Sequence, residues 1–215
     1  MWSGAKRAPK ENEVRMTTLE DQIQQEIRDW SAHALEEPSD YFAGLPPCPY
    51  AKRAWADNKV TISFKYDGHM QDIYSAISKF CDDYDLHIIV DLAFEEDPEE
   101  FQDYLYQLNE AISDGIFIDK DIWLMGFHPN DAPNDLIDNQ TFTPLVETEY
   151  AMIFVQRLSK VQVAADKLKA KGYYEKYLEE YDAEHLFIQR RDLYQRLMET
   201  THGDETKEDD AWRPS

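Results

Sequence analysis

The stretch Leu86-His87-Ile88-Ile89-Val90-Asp91-Leu92 constrains the fold of this chain more than any other. A β-branched run that is apolar at nearly every position reads as a strand buried on both faces. Such a strand sits centrally in a sheet and needs helices above and below it.

The flanking sequence supplies both. Val60-Thr61-Ile62-Ser63-Phe64-Lys65-Tyr66 alternates and reads as a strand closed by Asp67-Gly68. Ile122-Trp123-Leu124-Met125-Gly126-Phe127 reads as a third strand, ending at His128-Pro129. Tyr150 to Val155 fits either a fourth strand or the start of the next helix. Gln71 to Tyr84 carries Ile73, Ile77, Phe80 and Tyr84 at helical spacing. Asp97 caps a helix with Pro98 at its first position, Phe101, Leu105, Leu108 and Ile112 on its buried face, and Gly115 at its end. At the front, Thr17 or Thr18 caps an amphipathic helix to about Leu35, with Leu19, Ile23, Ile27, Trp30 and Ala34 as its stripe. Toward the other end, Ser159 is the expected cap of a helix through Ala170, stopped by Gly172, and the pattern from Tyr173 to about Thr200 is again helical.

This order predicts an α/β fold, with α+β as the alternative: a small sheet of about four strands packed with helices. A ferredoxin-like arrangement is one candidate. Residues 1–16 are expected to be disordered, 17–172 to form the core domain, 173–200 a C-terminal helical extension and 201–215 a disordered acidic tail.

Composition narrows the function classes. Lys and Arg number 22 against 44 Asp and Glu, a net charge of −22. That surface repels phosphate backbones and anionic lipid, so neither nucleic acid nor membrane is an expected partner. It is compatible with simple solubility or with a basic protein partner. No apolar run approaches the length of a membrane span, and the two cysteines, Cys48 and Cys81, make no disulfide framework. A cytoplasmic setting is the expectation.

Three residues carry candidate chemistry. Pro47-Cys48-Pro49-Tyr50-Ala51-Lys52-Arg53 reads as a cysteine at the start of a short basic helix. There, unsatisfied N–H groups and nearby cations favour a thiolate. His128 stands at a strand end, where open α/β sheets place ligands, and could act as a base. Arg157 precedes the expected Ser159 cap and could bind an anion together with that helix start. Each has a structural alternative: a buried free thiol, a histidine satisfied by its loop, an ordinary ion pair. Metal-ligand spacing is poor, since Glu199-Thr200-Thr201-His202 is a lone Glu-x-x-His and no Cys-x-x-Cys occurs. No glycine loop suited to phosphate is present, and the sequence names no cofactor. The Asn/Asp/Pro-rich segment from Asn130 to Pro144 is the expected functional loop.

Cys48-Pro49-Tyr50-Ala51 resembles a glutaredoxin active-site turn with its second cysteine replaced, but no buried strand precedes it. A wider resemblance covers about Ile23 to Leu168. Gly44-Leu45-Pro46-Pro47-Cys48-Pro49-Tyr50-Ala51, Gly126-Phe127-His128-Pro129 and Gln156-Arg157-Leu158-Ser159 resemble, in order and spacing, an uncharacterised bacterial family with a Cys-Pro-Phe-Ala and a Phe-His-Pro motif. Tyr50 stands where that family has Phe, and the helical segment from Tyr173 is an addition to its pattern. The resemblance implies no reaction; it groups Cys48, His128 and Arg157 as one site.

Two function classes follow. One is an enzyme or small-anion-binding protein with a Cys48/His128/Arg157 pocket, in which cysteine is the nucleophile and histidine the base. The other is a non-catalytic acidic interaction module that docks a basic partner through its tyrosine-rich helices.

Overall fold

The apolar run becomes β2 (Leu86–Asp91), with Ile89 and Val90 fully buried, and it lies inside a four-stranded mixed sheet. β1 (Val60–Lys65) pairs parallel with β2. β4 (Ala151–Gln156) runs antiparallel to β2 on one side and to β3 (Trp123–Phe127) on the other, giving the order β1-β2-β4-β3. The structure is a computed structural model and describes residues 17–94, 97–115, 121–131, 142–180 and 184–208.

Alternation along the central strands sends side chains into two separate cores. Ile88, Val90 and Met152 meet Ile23 and Ile27 of α1 (Leu19–Trp30) on one face. Ile89, Ala151, Ile153 and Val155 meet Ile73 and Ile77 of α3 (Gln71–Lys79) and Phe101 and Leu105 of α4 (Pro98–Ser113) on the other. Full burial of each such isoleucine stabilises the fold by about 1.5–3 kcal/mol. The architecture is therefore α/β. Its order from β1 onward, β-α-β-α-β-β-α, differs from the β-α-β-β-α-β order of a ferredoxin-like fold, so that arrangement is excluded.

Local signals hold closely where a cap and an apolar stripe coincide. Thr18 and Asp21 form a reciprocal capping box at the start of α1. Asp97 caps α4, and Gly115 follows it with φ +94°. Differences have physical causes. α1 passes at Ser31 into a π-helical turn, Ser31–Leu35, and its expected first stripe residue, Leu19, is exposed. α3 stops at Lys79 because Phe80 turns extended, placing its ring in the core. The Tyr150–Val155 segment resolves to a strand. α2 (Ala51–Ala56) starts two residues beyond Pro49. The helix from Tyr173 is two helices, α6 (Glu175–Glu180) and α7 (Glu184–Glu208). α7 runs past Thr200 into the segment expected to be tail, since no proline interrupts it and Gly203 costs only about 1 kcal/mol in a helix. Residues 1–16 and 209–215 lie outside the described residues, as does 132–141 of the expected functional loop. Among the described residues, no helix is long and apolar enough to cross a membrane.

α4 seals the β3 edge of the sheet. Buried Asn109 donates to the Leu124 carbonyl at 2.9 Å and accepts from the Leu124 N–H at 2.8 Å. The close approach needs Gly126, where a Cβ would come within 2.3 Å of Leu105 Cδ1 and 2.5 Å of Phe101 Cε1. Glycine in the Gly126-Phe127-His128-Pro129 block thus has a packing reason. Gly126→Ala is expected to lower stability by about 1–3 kcal/mol through overpacking, measured by urea unfolding. Unchanged stability would show that α4 can shift away freely.

Candidate functional site

Arg157 lies apart from both of the residues grouped with it from sequence. Cys48 sits in the turn before α2, its N–H donating to the Leu35 carbonyl at 3.0 Å and its carbonyl accepting from Ala51. Tyr173, which donates to the Pro46 and Pro47 carbonyls, holds this turn against the chain after α5 (Leu158–Lys169). Arg157 precedes α5, so a helix of roughly 18 Å separates it from the Cys48 neighbourhood. Phe127 pairs with Met152, which puts His128 level with Ala151. Arg157 then lies six residues further along the β4 direction, roughly 20 Å away at the opposite end of the sheet. No Cys48/His128/Arg157 pocket forms.

Cys48 also lacks the expected electrostatics. Burial pushes its thiol above the ordinary range; hydrogen bonds from the Tyr50 and Ala51 backbone oppose this, and the nearby Glu36 carboxylate adds to the rise. Glu36 is itself held by Arg28, which lies 5.2 Å over the Trp55 ring. The six-residue α2 carries no side-chain cap.

Arg157 is an anchor. Its guanidinium donates to the Phe80 carbonyl at 3.2 Å, stands 5.1 Å over the Phe80 ring and lies 3.5 Å from Asp82. It fixes the end of α3 against the β4–α5 junction. Ser159 is not the cap of α5; Arg157 occupies that position without a side-chain bond. The anion expected at this helix start is the protein's own Asp121, which accepts from the Ser159 N–H at 2.7 Å and from its hydroxyl at 2.6 Å.

His128 is 1% exposed and stands level with two buried charged residues, Lys65 and Asp91. Register places Lys65 opposite Asp91, Asp91 opposite Ala151, and His128 level with Ala151. By alternation all four share the α3/α4 face, at the carboxyl ends of β1, β2 and β3. Lys65 Nζ donates to both Asp91 carboxylate oxygens, at 3.0 and 2.8 Å, and Asp91 also accepts from the Ala93 N–H at 2.9 Å. Lys65 is 3% exposed and Asp91 4%. The His128 ring lies edge-on to Phe94, with centroids 5.0 Å apart, and 5.7 Å from Phe101. Its Nδ1 accepts from the Asn130 N–H at 3.1 Å, so in the neutral ring the proton is on Nε2. The only sequence signal for this row was a charged residue ending each of two parallel strands.

Further along the same face, Ser63 Oγ and His87 Nε2 are 2.8 Å apart, and burial holds His87 below the ordinary imidazole range. Among the described residues, no group of three or more His, Cys, Asp or Glu side chains is placed to hold a metal ion. No family model, curated protein or solved structure matches this chain.

A thiol with a raised pKa reacts slowly at neutral pH. Alkylation of Cys48 in the folded protein is expected to be slower at pH 7 than in the urea-unfolded chain and to rise steeply only above about pH 9. Neutral burial also means that this thiol's stabilising contribution is complete below its unfolded pKa and declines as pH climbs through the folded one. A folded-state alkylation midpoint below pH 8, followed by mass spectrometry, would restore the thiolate reading.

Proposed function

We propose that this chain binds a small ligand bearing a carboxylate or carbonyl oxygen at the row formed by Lys65, Asp91 and His128. One observation carries the reading: three buried polar side chains stand level with one another at the carboxyl ends of three strands. Open α/β sheets bind ligands at that end. A buried ion pair is a weak stabiliser, because desolvation offsets much of its attraction, so stability alone is a poor reason for Lys65 and Asp91 to be there. In this reading the Lys65 ammonium receives the ligand oxygen, Asp91 orients Lys65 through its two hydrogen bonds, and the His128 ring borders the site from the β3 side. Of the family-like grouping, only His128 enters this site. The net charge of −22 favours a second reading, an acidic module for a basic partner.

The ion pair permits a test that separates folding from binding. Lys65→Met alone strands a buried carboxylate and is expected to cost about 3–5 kcal/mol, whereas the double variant Lys65→Met/Asp91→Leu recovers most of that loss. Native mass spectrometry of the full chain, with thermal shifts against acetate, succinate and pyruvate, then reads the site. Wild type is expected to retain a small molecule or gain several degrees in Tm, while the double variant and His128→Gln show neither. A folded double variant that holds the same ligand as wild type would place the site elsewhere.

A further inference from the structure

The two edges of the sheet are treated differently. At the β3 edge, Asn109 occupies the Leu124 backbone groups. At the β1 edge the ladder itself shows what is left over. The Lys59 and Lys65 carbonyls accept from the Leu86 and Leu92 N–H groups of the β2 side. Alternate residues of a strand point the same way, so Thr61 and Ser63 also face β2, and the N–H and C=O groups of Val60, Ile62 and Phe64 point outward. Among the described residues, none of these outward groups has a hydrogen-bond partner.

Exposed edges are ordinarily blunted by lysine, proline or a bulge. β1 has no proline, and its two terminal lysines are engaged elsewhere. Lys59 Nζ donates to the Asp83 carbonyl at 2.8 Å, and Lys65 is buried on Asp91. The edge therefore presents Val60, Thr61, Ile62, Ser63 and Phe64 without a guarding charge.

A groove of about 600 Å³ runs beside this edge, between Ile62, Trp55 and Leu145 on its apolar side and Asp21, Gln22 and Gln25 of α1 on its polar side. An indole, an isoleucine and a leucine suit the aliphatic stem of a long side chain, and a carboxylate with two amide oxygens suits a cationic head. Glu20, hydrogen-bonded to Tyr66, adds charge at one end of β1, while at the other Asp57 is paired with Arg53. A second copy of the chain would bring another −22 to the same place.

We propose that the open edge of β1 pairs with an extended, lysine- or arginine-bearing segment of a partner protein, which adds as a fifth strand and lays a basic side chain in the Trp55–Gln25 groove. Main-chain hydrogen bonds to Val60, Ile62 and Phe64 supply the affinity, and the groove selects the charge.

The probe is a short labelled peptide alternating lysine with valine, compared with its glutamate–valine counterpart by fluorescence anisotropy on the full chain. Ile62→Pro removes an outward N–H and leaves the β1–β2 ladder bonds in place. Gln22→Lys and Gln25→Lys, both at exposed positions, reverse the charge preference without touching the sheet, and they carry the test if the proline variant does not fold. The lysine peptide is expected to bind wild type, to weaken with added salt, and to bind each variant at least about tenfold less tightly. Equal binding by variants and wild type, equal binding of the glutamate peptide, or no binding at all would overturn the proposal. So would a wild-type dimer in sedimentation that Ile62→Pro converts to monomer, which would make a second copy the occupant.

Discussion

Two-sided burial of β2 and β4 is the constraint from which the rest of the molecule follows. Ile88 and Val90 point one way, Ile89 the other, and Met152 and Ile153 repeat the division on the next strand. Neither face can meet water, so α1 must cover one and α3 with α4 the other. The cost appears at the close contacts. α4 lies so near β3 that a Cβ at position 126 would press on the Leu105 and Phe101 side chains, and its Asn109 takes over backbone groups that a fifth strand would otherwise satisfy. Polar links then tie the covering elements together. Glu26 of α1, 6% exposed, accepts from the Leu145 and Val146 N–H groups and the Tyr150 hydroxyl, fixing the lead into β4. Arg196 of α7 reaches Glu110 of α4.

Elements were legible wherever one local signal sufficed. Asp97-Pro98 followed by Phe101, Leu105, Leu108 and Ile112 contains its own start, face and stop, and α4 follows it closely. β1, β2 and β3 were legible from alternation or apolar runs. Sheet order was not legible, because hydrophobic pattern says that a strand is buried and not which strand lies beside it. The Tyr150–Val155 ambiguity had the same origin: a short apolar run fits either period, and only pairing with both β2 and β3 decides it.

That missing order is what misplaced the candidate site. Cys48, His128 and Arg157 are adjacent only as motifs along the chain. β4 returns antiparallel to β3, so a residue at the end of β3 and one at the end of β4 are carried to opposite ends of the sheet. Arg157 and the α5 start looked like an anion site because the sequence shows the donors and not their acceptor. Asp121 lies one strand earlier and reaches Ser159 only after folding. Cys48 fails for a related reason. Proline position suggested a helix start, but burial and Glu36 outweigh the few N–H groups that a six-residue helix offers.

Lys65 and Asp91 were hidden by a different rule of thumb. A charged residue ending an apolar strand reads as the point where the chain reaches solvent, and in most strands it is. Here two such residues end parallel neighbours in register, so each finds the other before it finds water. The same alternation that buries Lys65 on the α3/α4 face turns the backbone of Ile62 and Phe64 outward. The ion pair and the open edge are thus two consequences of one register. Shifting β1 by one residue would turn Lys65 toward the α1 face and away from Asp91, turn Ile62 toward α3, and send a different set of N–H groups to the edge. A shift by two would keep the faces but part Lys65 from Asp91, so the ion pair fixes the register that alternation alone leaves open, and that register places both candidate surfaces on β1.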